Sequence, residues 1–342
     1  MRLATEDDIH EWNEIVERDP LSTFFDRFEW CIGLSAISEN IKPLPLFVEK
    51  NGAAIGVFPL CLRKERFVRC LESIPYSDYG GGSFFRSKSN GFSRELVNNL
   101  VEIGAQNRCF RVTIRRALFD DILPANLVNK PVVVEAKNCT FILPLKDEID
   151  EIFRSLKKSK SGSIKQAKKR GSIVRDAESL DDLESYYNVY LCTMQRLRAR
   201  SSALPFQFFK YLWDTFKPKG GLKIFLAEYD NKVIAGVLIF VYKNVMYLWG
   251  AVSLSEYWNL RPVDLLYWQI IEWGTEHNFK LLDFGATSND PSSGNYVFKS
   301  RWGGEKRILY NYHILLQPNR WKLYKSGNKL ISNFKSVRAK LH

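Results

Sequence analysis

One order of sequence patterns occurs twice in this 342-residue chain, and it limits the possible folds more than any other feature. Asp7-Asp8-Ile9 opens a stretch with Ile9, Trp12, Ile15 and Val16 at helical spacing, and a second helical stretch carries Phe28, Trp30, Leu34 and Ile37. Two apolar runs follow, LPLFVE and AAIGVFPLCL, joined by Lys50-Asn51-Gly52, which predicts a hairpin. A Gly/Pro/Tyr-rich loop over 73–82, a helix begun near Ser93 and a strand over 110–114 complete the first set. The second set opens at Asp181-Asp182-Leu183, with Leu183, Tyr186, Tyr187, Tyr190, Leu191, Met194 and Leu197 on one helical face. An aromatic segment over 206–216 precedes KIFLAEY and KVIAGVLIFVY, a second hairpin joined at Asp230-Asn231. Pro262 starts a helix through Val263, Leu266, Ile270, Trp273 and Gly274, and a strand over 281–284 closes the set. This repetition predicts a tandem duplication of one module, an α/β (α+β) fold with two mixed twisted sheets flanked by helices. The expected modules are 1–150 and 151–316, with a C-terminal helix over 318–342 returning to the first.

Charge is concentrated. Residues 154–170 carry eight Lys/Arg and no acid, and residues 317–342 carry seven and no acid. Together these exceed the net charge of +12, which leaves the rest of the chain at −3. Such segments attract phosphate, in nucleic acid, nucleotide-linked substrates or anionic lipid, or they are solvated helix faces. Cys31, Cys61, Cys70, Cys109, Cys139 and Cys192 are scattered without a C-x-x-C pair and read as reduced thiols. The four histidines lack a metal-ligand spacing, so no metal site is expected. The longest apolar run, 233–242, is too short to span a bilayer, which takes about 20 residues. The N-terminus MRLATEDDIH has no apolar core of a signal peptide, so a cytoplasmic location is expected.

Four segments carry a family resemblance: GAAIGVFPL at 52–60, SIPYSDYGG at 73–81, IKQAKKRG at 164–171, and LLDFG at 281–285 followed by FKSRWGG at 298–304. In this order they resemble the Fem family, aminoacyltransferases that extend the peptide stem of peptidoglycan precursors and are built from two GNAT-like modules. The order hairpin, long strand, helix, strand is also the late part of the GNAT acyltransferase fold. There, two parallel central strands splay apart and leave a cleft for an acyl group. The chain departs from the family in two places. The basic helix begins Ser161-Gly162-Ser163 in place of an arginine-rich turn, and no heptad pair interrupts 172–342, so the long coiled-coil arm is missing.

Acyl transfer to an amine needs loss of a proton from the amine, polarisation of the acyl carbonyl and stabilisation of the developing oxyanion. A donor already activated as a thioester or aminoacyl ester needs no covalent nucleophile, which agrees with the lack of a G-x-S-x-G elbow. The resemblance implies that Lys299 stabilises the oxyanion or the leaving ribose hydroxyl, with Phe298 walling the acyl channel. Arg196 is the candidate for a phosphate or carboxylate of the acceptor, ahead of its neighbours Arg198 and Arg200. Alternation puts Tyr247 and Trp249 on one strand face, towards the acceptor or in the core. Tyr76, Asp78 and Tyr79 lie in the Gly/Pro-rich loop, with Asp78 a general base or a turn cap. Lys165, Lys168 and Lys169 are the candidate phosphate ligands.

CoA-dependent GNAT enzymes cradle pyrophosphate in an Arg/Gln-x-x-Gly-x-Gly/Ala turn at a helix N-terminus. Here Asn259-Leu260-Arg261-Pro262 and Gly80-Gly81-Gly82-Ser83 stand at the matching places. No tightly bound cofactor is expected, and the donor is aminoacyl-tRNA or acyl-CoA. The expected acceptor is a nucleotide- or lipid-linked cell-envelope precursor, the protein a monomer touching the membrane through its basic C-terminal helix. Two alternatives stand beside aminoacyl transfer. One is a CoA-dependent N-acyltransferase of surface-polysaccharide synthesis; the other is a non-catalytic tRNA- or membrane-associated binding protein.

Overall fold

Thr5 accepts the start of the first helical region, its N–H donating to Asp8 Oδ2 at 2.7 Å, and the buried face beyond it is Trp12, Ile15 and Val16. In the computed structural model, residues 1–65, 68–85, 94–115, 129–146 and 148–327 are described. The first elements are β1 (Arg2–Leu3), α1 (Ile9–Arg18), α2 (Phe28–Gly33), β2 (Ile41–Lys50), β3 (Ala53–Glu65), β4 (Val68–Ser73), β5 (Ser83–Phe84), α3 (Arg94–Gln106) and β6 (Arg111–Arg115). There follow β7 (Val132–Pro144), α4 (Ile149–Ser155), α5 (Lys158–Lys169), β8 (Ile173–Asp176), α6 (Leu180–Arg196), α7 (Phe206–Phe216), β9 (Leu222–Tyr229), β10 (Lys232–Tyr242) and β11 (Val245–Ser253). The last are α8 (Pro262–Glu276), β12 (Leu281–Asp283), β13 (Thr287–Ser288), α9 (Gly294–Ser300) and β14 (Glu305–Leu315). Ser93, the expected start of α3, lies outside the described residues.

The chain divides into two units, Met1–Glu135 with Tyr310–His342, and Ala136–Leu309. In the first, the strand order is β1-β2-β3-β4-β6-β14; in the second it is β7-β12-β11-β10-β9-β8. Each has one parallel contact. β4 meets β6 from Cys70↔Arg111 to Glu72↔Thr113, and β11 meets β12 from Val245↔Leu281 to Tyr247↔Asp283. All other neighbours are antiparallel. Both hairpins turn through two left-handed residues, Asn51 and Gly52 at φ 52° and 78°, Asp230 and Asn231 at φ 49° and 58°, as the Asn-containing loops require. The sequence reading placed 136–150 with the first module and 310–316 with the second. Here Ile142–Pro144 hydrogen-bond to β12 and Asn311–Leu315 to β6.

In the second unit the central strands bury two faces. Val237 and Ile239 of β10 join Leu266 and Ile270 of α8 in one core. On the opposite face Tyr186 of α6 lies over Gly236 and Gly250 and donates its hydroxyl to Gly250 O at 3.0 Å. A Cβ at Gly250 would stand 2.4 Å from the Tyr186 hydroxyl, so only glycine lets this helix approach. In the first unit residues 318–327 are helical, and Trp321 and Tyr324 pack on Phe110 at 6.2 and 5.2 Å between ring centroids. The remainder of the expected C-terminal helix, 328–342, lies outside the described residues. No described helix is long and apolar enough to cross a membrane.

Candidate active site

The site begins where two parallel strands part. After Tyr247↔Asp283, β11 runs on to Ser253, while the chain beyond β12 swings towards β7: Phe284 N–H donates to Phe141 O at 3.0 Å and β13 pairs with β7. A cavity of about 620 Å³ opens in this divergence. Leu248, Trp249, Ala251 and Ser253 line one side, Phe284 and Ala286 the other. Arg261–Asp264 and Tyr267 come from the start of α8, Phe298 and Lys299 from α9, and Arg196 and Trp258 from flanking segments.

Local chemistry fixes these walls. The β10–β11 register jumps from Ile239↔Leu248 to Leu238↔Gly250, so Trp249 is the extra residue of a bulge. Its ring packs on Phe208, Phe209 and Phe240 at 6.2, 6.0 and 5.7 Å and still reaches the cavity. Tyr247, the cross-strand partner of Phe240, is buried and does not line it. The far end of β11 is tied to α6, with Ser253 N–H donating to Thr193 Oγ1 at 3.1 Å. On the opposite wall, Gly285 takes the left-handed φ of 71° and donates its N–H to buried Asp283 Oδ1 at 2.9 Å. That turn directs the Gly285 and Ala286 carbonyls at Lys299, whose Nζ donates to them at 2.9 and 3.0 Å. Lys299 therefore stands on a short helix, half-buried at the cavity wall, with Phe298 beside it.

Sequence reasoning missed the group beneath. Lys160 of α5 is 5% exposed; its Nζ donates to Asp264 Oδ1 at 2.5 Å and lies 3.9 Å from the Phe298 ring centroid and 4.7 Å from that of Trp302. Burial pushes the Lys160 ammonium below its ordinary range, and Asp264 opposes that push. Tyr267, Phe284, Phe298 and Trp302 complete an aromatic cluster there, with Tyr267 and Phe284 stacked at 5.7 Å. A readable signal existed: Lys160, Ile164 and Ala167 fall on one helical face, and the other two are apolar and buried.

The start of α8 is a poor pyrophosphate cradle. Arg261 is left-handed at φ 56°, Pro262 has no N–H, and the Asp264 and Leu265 N–H groups both donate to Arg261 O at 3.1 and 3.3 Å. The Asp264 carboxylate at the same place is taken up by the Lys160 ammonium.

The other expected residues stand elsewhere. Lys165, Lys168 and Lys169 lie on α5 and do not line the cavity; Lys168 pairs with Glu272 at 3.1 Å and Lys165 sits 5.7 Å from the Phe153 ring. Tyr76, Asp78 and Tyr79 belong to the first unit. Tyr76 is exposed, Asp78 is half-buried, and Tyr79 is buried 6.2 Å from Phe25. That unit's own strand divergence is stitched shut. Arg115 donates its backbone N–H to Ser73 Oγ at 2.7 Å and its guanidinium to the Ser73 and Ile74 carbonyls at 2.9 and 3.1 Å.

Comparison with known proteins agrees with this geometry. Residues 154–300 match the acetyltransferase (GNAT) domain family. A lipid II:glycine glycyltransferase of Staphylococcus haemolyticus is 31% identical over 103 residues, 27% of this chain and 24% of that protein. One of Staphylococcus epidermidis is 21% identical over 294 residues, 66% of each chain. The chain thus spans less than two thirds of the length of these curated relatives. Among solved structures, FemX superposes with a TM-score of 0.69 at 16% identity, covering 94% of this chain and 99% of that one. A tandem GNAT protein from the clavulanic acid biosynthesis pathway gives 0.54 at 12% identity, covering 91% and 96%. Residues 154–300 of the second unit are thus similar to the GNAT acetyltransferase domain family, in a chain with the fold of FemX and of a tandem GNAT protein.

Proposed function

We propose that this protein is an acyltransferase that moves an aminoacyl group from an activated ester to an amine of a cell-envelope precursor, as in the building of a peptidoglycan interpeptide bridge. One observation carries the reading: the open cleft between β11 and β12 has an ammonium, Lys299, anchored at its wall. An acyl chain entering the cleft lies against Phe298 and the edge of β11. The acceptor amine attacks the ester carbonyl, and the oxyanion that forms is stabilised by the nearby positive charge of Lys299. As the intermediate collapses the ester C–O bond breaks, the proton shed by the amine passes to the ribose oxygen, and the same ammonium assists departure of that oxygen as a hydroxyl. Arg196 and Trp249 contact substrate, and the exposed lysines of α5, Lys165 and Lys169 with Lys168, attract the phosphates of a tRNA or nucleotide-linked partner. Tyr247, Tyr76, Asp78 and Tyr79 do not line this cavity.

The poor cradle at α8 favours aminoacyl-tRNA as donor. The second reading, CoA-dependent N-acylation, draws on the acetyltransferase family to which residues 154–300 match. The relatives named lipid II:glycine glycyltransferase make lipid II the first acceptor to try, and a lipid-linked acceptor favours a location at the inner face of the membrane. Incubation of the purified protein with lipid II and either glycyl-tRNA or acetyl-CoA, followed by mass spectrometry, separates the readings. A gain of one glycine residue supports the first and a gain of one acetyl group the second. No gain with either donor refutes transfer of glycine or acetyl to lipid II.

A further inference from the structure

Among the described residues, Trp258 is the one strongly exposed large hydrophobic side chain that lines the cavity; its relative exposure is 50%. An indole pairs a broad apolar face with a polar N–H, so it can hold a flat ligand while its edge is fixed. This one is held in a fixed plane, because its Nε1–H donates to Ser253 Oγ at 3.0 Å. The guanidinium carbon of Arg196 lies 4.6 Å from its ring centroid. These side chains come from distant parts of the sequence, the last residue of α6 and the 3-10 turn Ser255–Leu260 before α8, and converge on one wall. Beside them Arg261 is braced by α5, its Nε donating to Gln166 Oε1 and its Nη1 to Ser163 Oγ, both at 3.0 Å. A flat aromatic face with a guanidinium on it, next to a braced second guanidinium, is the chemistry that receives a nucleobase and its phosphate.

Resting on the acyl-transfer reading, we infer that Trp258 and Arg196 form a shelf for the terminal adenosine of the donor, with Arg261 on its phosphate. Both candidate donors end in an adenosine nucleotide. The shelf thus serves the 3′ end of a tRNA or the nucleotide of CoA by the same stacking, and Arg196 opens from Trp258 to admit the base.

The test uses the full chain and calorimetric titration with three probes: the trinucleotide CCA for the tRNA end, 3′,5′-ADP for the CoA end, and UDP as a nucleotide without adenine. Trp258→Ala removes the shelf, and Trp258→Phe keeps an aromatic face. Near-native circular dichroism and thermal midpoints are expected for the Trp258 variants, because the side chain is half in water. The expected result is binding of CCA or 3′,5′-ADP that weakens about tenfold or more in Trp258→Ala and is largely kept in Trp258→Phe. The adenosine probe that binds names the source of the donor. Unchanged affinity in Trp258→Ala overturns the shelf and leaves the transferase reading standing. Binding of UDP alone overturns adenosine as the ligand. Failure of the wild-type protein to bind any probe overturns both the shelf and an adenosine-bearing donor.

Discussion

Lys299 sits where two requirements meet. Its ammonium fastens the Gly285 and Ala286 carbonyls, and it stands at the wall of the cleft that we propose receives the acyl group. Lys299→Met should lower kcat by about 10²–10³ and leave KM nearly unchanged, because an oxyanion exists only near the transition state. Lys299→Arg keeps the charge in a different shape and should restore part of the rate. Steady-state kinetics decide, and full activity in the Met variant would return Lys299 to a structural role. The two carbonyls it leaves cost about 1–3 kcal/mol in stability, so denaturant melts belong beside the kinetics. Lys160 makes a different case. Lys160→Met strands the Asp264 carboxylate in a largely dry place and should cost about 3–5 kcal/mol, while adding Asp264→Asn should recover much of it. Urea unfolding of the single and double variants checks this; equal losses in both would mean that the pair is not the source. Lys299 drew notice only through the family resemblance of FKSRWGG, and its place at the cavity wall comes from the fold, whereas Lys160 was hidden in a run of cations that reads as one solvated face. What distinguishes it is its register with Ile164 and Ala167.

At the scale of elements, the hairpins and their partner helices were legible because Asn-Gly and Asp-Asn mark turns and the apolar runs beside them alternate. β7 and β14 were not. Val132–Pro144 has a polar middle, Glu135 to Asn138, and Glu305–Leu315 opens on charged residues, so neither gives a clean period. Their identity as strands comes from non-local pairing with β12 and β6, which no window of sequence contains. The bulge at Trp249 likewise depends on a two-strand register. β14 also brings a titrating group into the first unit. His313 Nδ1 lies 3.0 Å from Thr113 Oγ1 and its ring 5.1 Å from Trp321. Burial, with Arg111 nearby, pushes its imidazole down to about 4. A depressed value means that the folded state holds it neutral, so its contribution is complete above pH 6.5 and is lost as pH falls towards 4. The loss should be on the order of 3 kcal/mol. Asp26, raised to about 6 by burial, acts in the opposite sense, so the comparison must be with His313→Gln. The drop in urea midpoint between pH 7 and pH 4.5 should be smaller in that variant; an equal drop would clear His313.

At the scale of the whole molecule, one module plan is used in two ways. The second unit leaves its strand divergence open, and the first closes its own with Arg115 and Ser73. The duplication was readable from element order, but this inequality was not, because it rests on a few side chains at corresponding backbone positions. The basic helix α5 belongs to the open unit. Replacing Lys165, Lys168 and Lys169 by Gln should weaken binding of a tRNA donor and flatten its salt dependence, each lost phosphate contact removing about 0.7–0.9 from the logarithmic slope. Binding titrations across a salt series measure this, and an unchanged slope would leave α5 as a solvated face. The placement of β14 has one more consequence. During synthesis, β6 leaves the ribosome nearly two hundred residues before the strand that will cover its edge. Throughout translation of the second unit the nascent first unit carries an open strand edge, the kind of surface that recruits chaperones or mispairs with a neighbouring chain on the same message.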